Sequence, residues 1–233
     1  LGPKYLALRK EFCEKKEKKI RKQANKILVC TGGADVTNLA PRIIKALNQV
    51  AKKLSVTVAV GPAFKNEKQI LKEARNSVHK IVLKKSPEKI SKLMHEADLI
   101  VCTGGVISNE VVSTKTPALV ISQNIPEDKN TKGLEEKNAV KRIGLEKDFD
   151  EKKLAKAVDS LLENYLERKK LSRNCTGLID CLGTQRISEM LFAKLGEKKV
   201  ELRKAGLNHC KKAFLWRNEK TTRENSLNSN KVE

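Results

Sequence analysis

Aromatic side chains are scarce in this sequence of 233 residues, which has one Trp, two Tyr and five Phe. Proteins that bind single-stranded nucleic acid use aromatic side chains as stacking platforms between basic residues, and the sequence shows no such interleaving. The net charge of +21 at pH 7 still leaves a basic module for nucleic acid or an anionic membrane surface as an alternative. Because lysines are spread over the chain and mixed with glutamates, we interpret most of them as solvent-facing helix residues and expect no nucleic-acid partner.

Metal-binding and membrane-spanning signatures are also lacking. The six cysteines form no C-x-x-C pair and their spacings match no zinc site, so no metal site is predicted. Cys30 and Cys102 lie within apolar runs and are interpreted as small core residues, with reduced thiols in a cytoplasmic protein. No apolar run approaches the ~18 residues needed to span a bilayer, so any association with a membrane would be peripheral.

Short apolar runs rich in β-branched residues alternate along the chain with longer amphipathic segments. Because the short runs are apolar throughout, they indicate strands buried on both faces of a parallel sheet. Five are strong and the last is weaker: Ile27–Thr31, Val56–Val60, Lys80–Leu83, Asp98–Cys102, Ala118–Ser122 and Val140–Ile143. The segments between and after them have helical spacing: Asn38–Leu54, Glu67–Asn76, Pro87–Ala97, Asp128–Lys137, Glu151–Leu166 and Thr184–Leu195. This order predicts an α/β fold with a doubly wound parallel sheet of the Rossmann-like type.

Two of the predicted strands end in the same tripeptide, Thr-Gly-Gly, at Thr31-Gly32-Gly33 and at Thr103-Gly104-Gly105. In open α/β sheets ligands bind beyond the carboxyl ends of the strands, and glycine there lets the backbone approach a ligand closely. The N-terminus of the following helix favours a phosphate group. A tight turn without a ligand is the alternative for each. Neither turn matches G-x-G-x-x-G or the P-loop, so NAD and ATP sites are not supported and no cofactor is expected.

Glu110 lies in the second turn of the helix predicted after Gly104 and Gly105. A carboxylate at this place is able to accept hydrogen bonds from both hydroxyls of a ribose, as in dinucleotide folds. An acidic residue that is merely favoured by the helix dipole is the equal alternative.

The sequence offers no catalytic constellation. His79, His95 and His209 are scattered, and none has a carboxylate or nucleophile at motif spacing. We interpret all three as structural or surface residues, and the catalytic residues are unknown.

Several of these residues occur in an order that resembles the C-terminal domain of glycosyltransferase family 28. Within that family the resemblance is strongest to the UDP-sugar hydrolases of pseudaminic acid biosynthesis. It runs from residue 1 to about Leu195 and is carried by Gly2–Phe12, Thr31–Asp35, Val60–Pro62, Ala97–Glu110, Thr116–Ala118 and Asp180–Arg186.

The resemblance implies that this domain is the C-terminal half of a two-domain B-type glycosyltransferase architecture and holds UDP. Gly104 and Gly105 would contact the pyrophosphate, Glu110 would hold the ribose, and Gly32 and Gly33 would also belong to the UDP site. The sequence departs from the family pattern at two places. Val106 stands where the family usually has a serine, so that only Ser108 is left to supply the hydroxyl. Pro126-Glu127 aligns with the family's Asn-Gln pair after the fifth strand.

We therefore predict the nucleotide-binding half of a UDP-sugar hydrolase or family 28 glycosyltransferase, in nonulosonic acid or surface polysaccharide biosynthesis. The family's N-terminal domain, which carries the glycine-rich loop and the histidine that the hydrolase uses, is expected to be missing. The start at Leu1-Gly2-Pro3 without Met is interpreted as a cut end. We expect the chain to bind UDP-sugars better than it catalyses their reactions.

Three parts of the chain are predicted: 1–25 as an inter-domain segment, 26–195 as the UDP-sugar-binding domain, and 196–233 as a linker with the start of another domain. Leu202–Ala205 and Phe214–Glu219 resemble the beginning of an acyl-CoA-dependent N-acetyltransferase, with a disordered polar tail as the equal alternative. Both ends would then lack their partner domains. We expect unusual exposure of the apolar residues there: Tyr5, Phe12, Phe214, Leu215 and Trp216.

Overall fold

The computed structural model describes residues 2–14, 17–195 and 206–219. Six strands form a single parallel sheet in the order β3-β2-β1-β4-β5-β6. They are β1 (Lys26–Cys30), β2 (Ser55–Val60), β3 (Lys80–Lys85), β4 (Leu99–Thr103), β5 (Ala118–Ser122) and β6 (Lys141–Leu145). Each begins within a residue or so of its predicted position, and the predicted doubly wound Rossmann-like sheet is confirmed.

Helices connect the strands and follow the last of them. They are α1 (Leu39–Leu47), α2 (Glu67–Arg75), α3 (Ile90–Glu96), α4 (Val106–Ser113), α5 (Ile125–Glu136), α6 (Glu151–Glu163), α7 (Tyr165–Asn174), α8 (Gly183–Leu195) and α9 (Leu207–Asn218). The prediction of a single helix over 151–166 is wrong, because the helix is interrupted at Asn164, between α6 and α7. That side chain accepts a hydrogen bond from the N–H of Glu167 at 2.9 Å and so starts α7 in a new direction.

The core lies in two apolar layers, one on each face of the sheet. Along β1, Ile27 and Val29 pack into one layer with residues of α1 and α6. Leu28 and Cys30 pack into the other, with residues of α3, α4 and α5. Successive side chains of a strand point to opposite faces, so a continuous apolar run supplies both layers, each buried leucine contributing ~1.5–3 kcal/mol. At the edge strand β3 the prediction of burial on both faces is wrong, since four of its six residues are exposed.

The segment before β1 is held against the sheet domain by buried charges. Arg21 Nε lies 2.6 Å from Asp98 Oδ1, and the other oxygen of Asp98 accepts the N–H groups of Asn25 and Lys26, each at 2.9 Å. The fully buried Arg168 of α7 donates to the carbonyls of Arg21 and Lys22 at 2.8 and 2.9 Å. Residues 17–25 are therefore fixed in place without forming a helix.

The expectation of exposed aromatic residues at both ends is wrong at the first end. Phe12 is only 4% exposed and packs into the second apolar layer, because a short 3-10 turn at Lys10–Phe12 directs its ring inward. In α9 the expectation holds, since Phe214, Leu215 and Trp216 are all exposed.

Contacts between residues divide the chain into a large unit, Leu1–Ile187, and a small one, Ser188–Glu233. Within the small unit, the described residues include the helix α9, whereas Leu202–Ala205 fall outside the described residues. Among the helices that the structure describes, none combines the length and the apolar character that a bilayer crossing requires.

Candidate functional site

A cleft opens at the carboxyl edge of the sheet, where the strand order reverses. β1 lies between β2 and β4, so the connections that leave the adjacent ends of β1 and β4 diverge, as at the ligand-binding switch point of open α/β sheets. The cleft has a volume of about 560 Å³, within the range of ~300–1,000 Å³ typical of small-ligand sites. Its walls include both glycine turns.

Four of the six predicted site residues line this cleft together: Gly32, Gly33, Gly105 and Glu110. Gly32 has a φ of +89°, which a residue with a side chain rarely adopts. Gly33 passes so close to the loop after β2 that a Cβ on Gly61 would lie 2.4 Å from the carbonyl oxygen of Gly33. The two glycines therefore shape one wall of the cleft from backbone alone.

The other two predicted residues, Gly104 and Ser108, lie outside the residues that line the cleft. A Cβ on Gly104 would lie 2.6 Å from Thr131 Oγ1 and 2.8 Å from Ser122 Oγ, so this glycine lets the turn pack on α5. Ser108 is fully buried, and its hydroxyl donates to the carbonyls of Gly105 and Gly104 at 2.8 and 3.1 Å. That hydroxyl is engaged within the turn.

The N-terminus of α1 is occupied by a carboxylate of the chain itself. Asp35, with a φ of +45°, accepts the N–H of Leu39 at 3.0 Å and that of Ala40 at 2.8 Å. Burial raises the pKa of Asp35, while these backbone hydrogen bonds act in the opposite direction. The first-turn donors that an incoming anion would use are thus already satisfied.

The N-terminus of α4 is different. Its N-cap is Gly105, which provides no side-chain hydrogen bond, and the next residue, Val106, is exposed. The first N–H groups of a helix have no partner within the helix, and the helix dipole adds partial positive charge there. The start of α4 is therefore uncapped and lines the cleft, with the carboxylate of Glu127 close by, since its Oε1 would lie 3.4 Å from a Cβ on Gly105.

Glu110 lies in the wall of the cleft with a side chain only 10% exposed. Its Oε1 is 3.1 Å from a guanidinium nitrogen of Arg9, which also pairs with Glu11 at 2.9 Å. Burial raises the pKa of Glu110 above its usual range, and the hydrogen bond and charge of Arg9 oppose that rise. Glu110 is thus a largely buried hydrogen-bond acceptor paired with the cation of Arg9.

The family model for the glycosyltransferase family 28 C-terminal domain matches residues 26–180, which is more than half of the chain and contains the whole sheet. This chain belongs to glycosyltransferase family 28. The cleft at the carboxyl ends of β1 and β4 is thus a feature of a family 28 C-terminal domain.

Similar proteins include two curated relatives. The chain is 31% identical over 129 residues to an uncharacterized protein of Methanocaldococcus jannaschii, covering 53% of this chain and 27% of that one. It is 23% identical over 193 residues to the spore coat polysaccharide biosynthesis protein SpsG of Bacillus subtilis, covering 82% of this chain and 57% of SpsG. The chain therefore spans only part of the length of either relative.

Solved structures show the same fold. MurG of Acinetobacter baumannii has a TM-score of 0.63 at 19% identity, with 73% of this chain and 50% of MurG covered. HepE of Anabaena, crystallised in complex with UDP-glucose, has a TM-score of 0.59 at 15% identity, with 72% of this chain and 49% of HepE covered. At these identities the likeness shows the shared fold alone.

Among the polar side chains that line the cleft of this family 28 domain and were not predicted as site residues are Arg9, Gln123 and Glu127. Arg9 lies 101 positions before its partner Glu110, and no local pattern connects them. Glu127 could have been found from the spacing Asn-x-x-Glu at the start of α5. Asn124 caps this helix by accepting the N–H of Glu127 at 2.9 Å, and the carboxylate of Glu127 accepts the N–H of Gln123 at 2.9 Å. Such reciprocal capping is a recognisable signature of a helix start.

The interpretation of His79 as a structural residue agrees with its contacts. Its Nδ1 accepts the N–H of Leu54 at 3.3 Å, and its Nε2 lies 2.7 Å from the carbonyl of Leu47. These partners require the proton on Nε2 and leave neither nitrogen for chemistry. Within the part of the chain that the structure describes, no group of His, Cys, Asp and Glu has the arrangement of a metal site.

Proposed function

We propose that the cleft binds the UDP group of a UDP-sugar, and that the chain is the nucleotide-binding half of a UDP-sugar hydrolase or of a glycosyltransferase. The observation that carries this proposal is the pairing of an uncapped helix N-terminus with a buried carboxylate in the same cleft. A nucleoside diphosphate needs both an anion site and an acceptor for its ribose hydroxyls. The open start of α4 and Glu110 supply these two functions on one helix.

The diphosphate would lie against Gly105 and the first N–H groups of α4. Such a helix start binds phosphate through its free donors and its dipole. The start of α1 is less suited, because the carboxylate of Asp35 already accepts the N–H groups of Leu39 and Ala40. Gly32 and Gly33 would approach the nucleotide through backbone atoms that no side chain obstructs.

The ribose would lie on Glu110, five residues further along α4 than Gly105. At a rise of 1.5 Å per residue this places the carboxylate ~7 Å along the helix from the anion site, comparable to the separation of phosphate and ribose hydroxyls in a nucleotide. Burial raises the pKa of the Glu110 carboxyl, while the hydrogen bond and the charge of Arg9 favour its ionised form. Among the residues that line the cleft, Arg9 is the one Lys or Arg, so it also adds positive charge near the diphosphate.

For the reaction, we propose that UDP is the leaving group when water or a hydroxyl attacks the sugar. Donors fixed at a helix start stabilise charge that develops on such a leaving group. Gln123, which follows β5, and Glu127, in the first turn of α5, line the same cleft and would face the sugar-bearing end. Ser108 remains a predicted contact to UDP. To make that contact, its hydroxyl would have to give up its hydrogen bonds to the carbonyls of Gly104 and Gly105.

The biological setting is proposed to be surface polysaccharide biosynthesis, and more narrowly that of a nonulosonic acid such as pseudaminic acid. The broader setting is supported by the similarity to SpsG, a spore coat polysaccharide biosynthesis protein. A nucleotide sugar as ligand is supported by HepE, whose crystals contain UDP-glucose. The narrower setting and hydrolysis as the reaction rest on the sequence resemblance.

A calorimetric titration with UDP tests the proposal, with salt-dependent binding to single-stranded DNA measured in parallel. We expect saturable binding of UDP and weaker binding of uridine, which lacks the diphosphate. Heat from neither nucleotide, combined with DNA binding that falls steeply with salt, would replace this proposal by that of a basic binding module.

We further propose the domain limits 1–25, 26–195 and 196–233, with a linking segment first and the start of an N-acetyltransferase domain last. The test is the coding sequence on either side of Leu1 and Glu233. A second Rossmann-like domain upstream and an acyl-CoA site downstream would support these limits, and unrelated flanking sequence would contradict them.

A further inference from the structure

A second groove, called here the basic groove, lies at the amino edge of the sheet, opposite the cleft. It has a volume of about 750 Å³ and is formed by the segment before β1, the turn before β5 and the exposed face of α7. Six cationic side chains line it: Lys18, Lys19, Lys115, Lys169, Lys170 and Arg173. Glu17 is the one carboxylate among its lining residues.

This charge is concentrated well beyond the average of the chain. The whole sequence has 49 Lys and Arg against 28 Asp and Glu, which is about one acidic residue for every two basic ones. The basic groove has one acidic residue for six basic ones. The cleft shows the opposite balance, with Arg9 beside Asp35, Glu110 and Glu127. The two edges of the sheet therefore differ in the sign of the charge they present.

Most of these cations are available to a ligand. Lys18 is the exception, because it donates to the carbonyls of His95 and Ala97 at 2.6 and 2.5 Å, and burial lowers its pKa to about 8. By contrast, Lys169, Lys170 and Arg173 are exposed, and none of them takes part in the ion pairs found among the described residues. Unpaired cations held on one rigid helix are ready to meet a surface of negative charge.

An exposed apolar residue stands among these cations. Leu166, in the first turn of α7, is 73% exposed and lines the basic groove together with Tyr165 and Ile20. Basic side chains around exposed aliphatic and aromatic residues are typical of elements that lie in the interface of a membrane. A nucleic acid gains little from an exposed leucine, since it is bound through phosphate contacts and base stacking.

We propose that the basic groove binds the surface of a bilayer that contains anionic lipids. The lipid phosphates would enter the groove beside Lys169, Lys170 and Arg173, and Leu166 would reach the boundary of the acyl chains. Each Lys or Arg near such a surface adds to the attraction, which decays over the Debye length. The cleft, at the other edge of the sheet, would stay open to the aqueous phase and to its nucleotide.

The test is co-sedimentation with vesicles of phosphatidylcholine alone and of phosphatidylcholine mixed with phosphatidylglycerol. We expect binding to the mixed vesicles only, weakened by added salt. The triple variant Lys169→Gln, Lys170→Gln, Arg173→Gln should bind the mixed vesicles roughly tenfold more weakly or worse. Its matched control is Lys68→Gln, Lys72→Gln, Arg75→Gln, which removes the same charge from exposed positions of α2 and should bind as the unaltered chain does.

Two further measurements make the outcome decisive. Leu166→Ser, which changes no charge, should weaken vesicle binding and leave binding to single-stranded DNA unchanged. UDP titration of the Lys169, Lys170, Arg173 triple variant should give the affinity of the unaltered chain, which shows that it is folded and separates this test from that of the proposed function. Equal vesicle binding by both triple variants, no binding to the mixed vesicles, or preferential loss of DNA binding in the groove variant would overturn the proposal.

Discussion

The turns after β1 and β4 contain the same tripeptide, Thr-Gly-Gly, yet they lead into helices that begin differently. The first is followed by Asp35, which satisfies two donors of α1 at 3.0 and 2.8 Å. The second is followed by Val106, and no side chain caps α4 at Gly105. A shared glycine motif therefore does not make a shared site. The residues that follow the glycines decide whether the helix start is closed from within or open to a ligand.

The largest effect on UDP affinity is expected from Glu110, the carboxylate that only the helix after the second turn provides. Glu110→Gln should weaken UDP binding about 10- to 150-fold, because a charge-assisted hydrogen bond contributes about 1.5–3 kcal/mol. Asp35→Asn is the matched change at the other turn, and it should leave UDP affinity unchanged, since the carboxylate of Asp35 accepts the N–H groups of Leu39 and Ala40 and is not assigned a contact with UDP. Calorimetric titration of both variants measures this. A greater loss of affinity in Asp35→Asn than in Glu110→Gln would reverse the assignment of the two turns.

The second effect concerns stability. Gly104→Ala should lower the free energy of unfolding by about 1–3 kcal/mol, the usual cost of overpacking. The new Cβ would collide with the hydroxyls of Ser122 and Thr131, which are fully buried and hydrogen-bonded to each other at 3.1 Å. Gly33→Ala is the control, because a Cβ there meets nothing within 4 Å. Urea unfolding compares them, and equal stability of the two variants would show that the turn after β4 is not packed as described.

A smaller effect, this time an increase in UDP affinity, is expected from restoring the hydroxyl that the family pattern has after the second Gly-Gly. Val106→Ser places a donor at the first position of α4 and should tighten UDP binding about 2- to 12-fold, from a net hydrogen bond of about 0.5–1.5 kcal/mol. Ala34→Ser makes the equivalent change after the first Gly-Gly and should have no effect. Tighter binding in Ala34→Ser alone would place the diphosphate at the turn after β1.

The smallest effect near neutral pH is the titration of Glu110. Burial raises the pKa of this carboxyl, and ribose hydroxyls donate to the ionised form, so binding is complete above that pKa and is lost as pH falls through it. The dissociation constant for UDP should therefore increase on acidification from a pH above the usual range of glutamate. Glu110→Gln should lack this component, while protonation of the nucleotide itself is common to both proteins. Identical pH profiles for the two proteins would remove Glu110 from the site.

The sheet could be predicted from the sequence because its signal is local. Continuous apolar runs such as Ile27–Val29 and Leu99–Val101 fit burial on both faces of a central parallel strand, and they are buried as expected. The break between α6 and α7 was missed because Asn164 ends one helical stripe and caps the next, so that the apolar spacing continues across it. The apolar pattern is a weaker guide at the edge of the sheet, where β3 pairs with β2 alone.

The candidate site was predictable mainly where it is made of backbone, and Glu110 is the one predicted side chain that lines the cleft. The glycines after β1 and β4 indicated the cleft because their position after buried strands is visible in the sequence. The contact between Arg9 and Glu110 depends on how the opening segment folds back over the sheet, which no local pattern encodes. The different roles of Asp35 and Val106 likewise depend on hydrogen bonds formed only after the helices are in place.

The most direct test is to map where the diphosphate lies, by recording amide NMR spectra of the chain with UDP and with uridine. Signals that shift with UDP but not with uridine report on the phosphates. We predict that they belong to Gly105, Val106 and Ile107 at the start of α4. Shifts of this kind at Leu39 and Ala40 instead, or none at the start of α4 under saturating UDP, would contradict the assignment of the phosphate site to this helix.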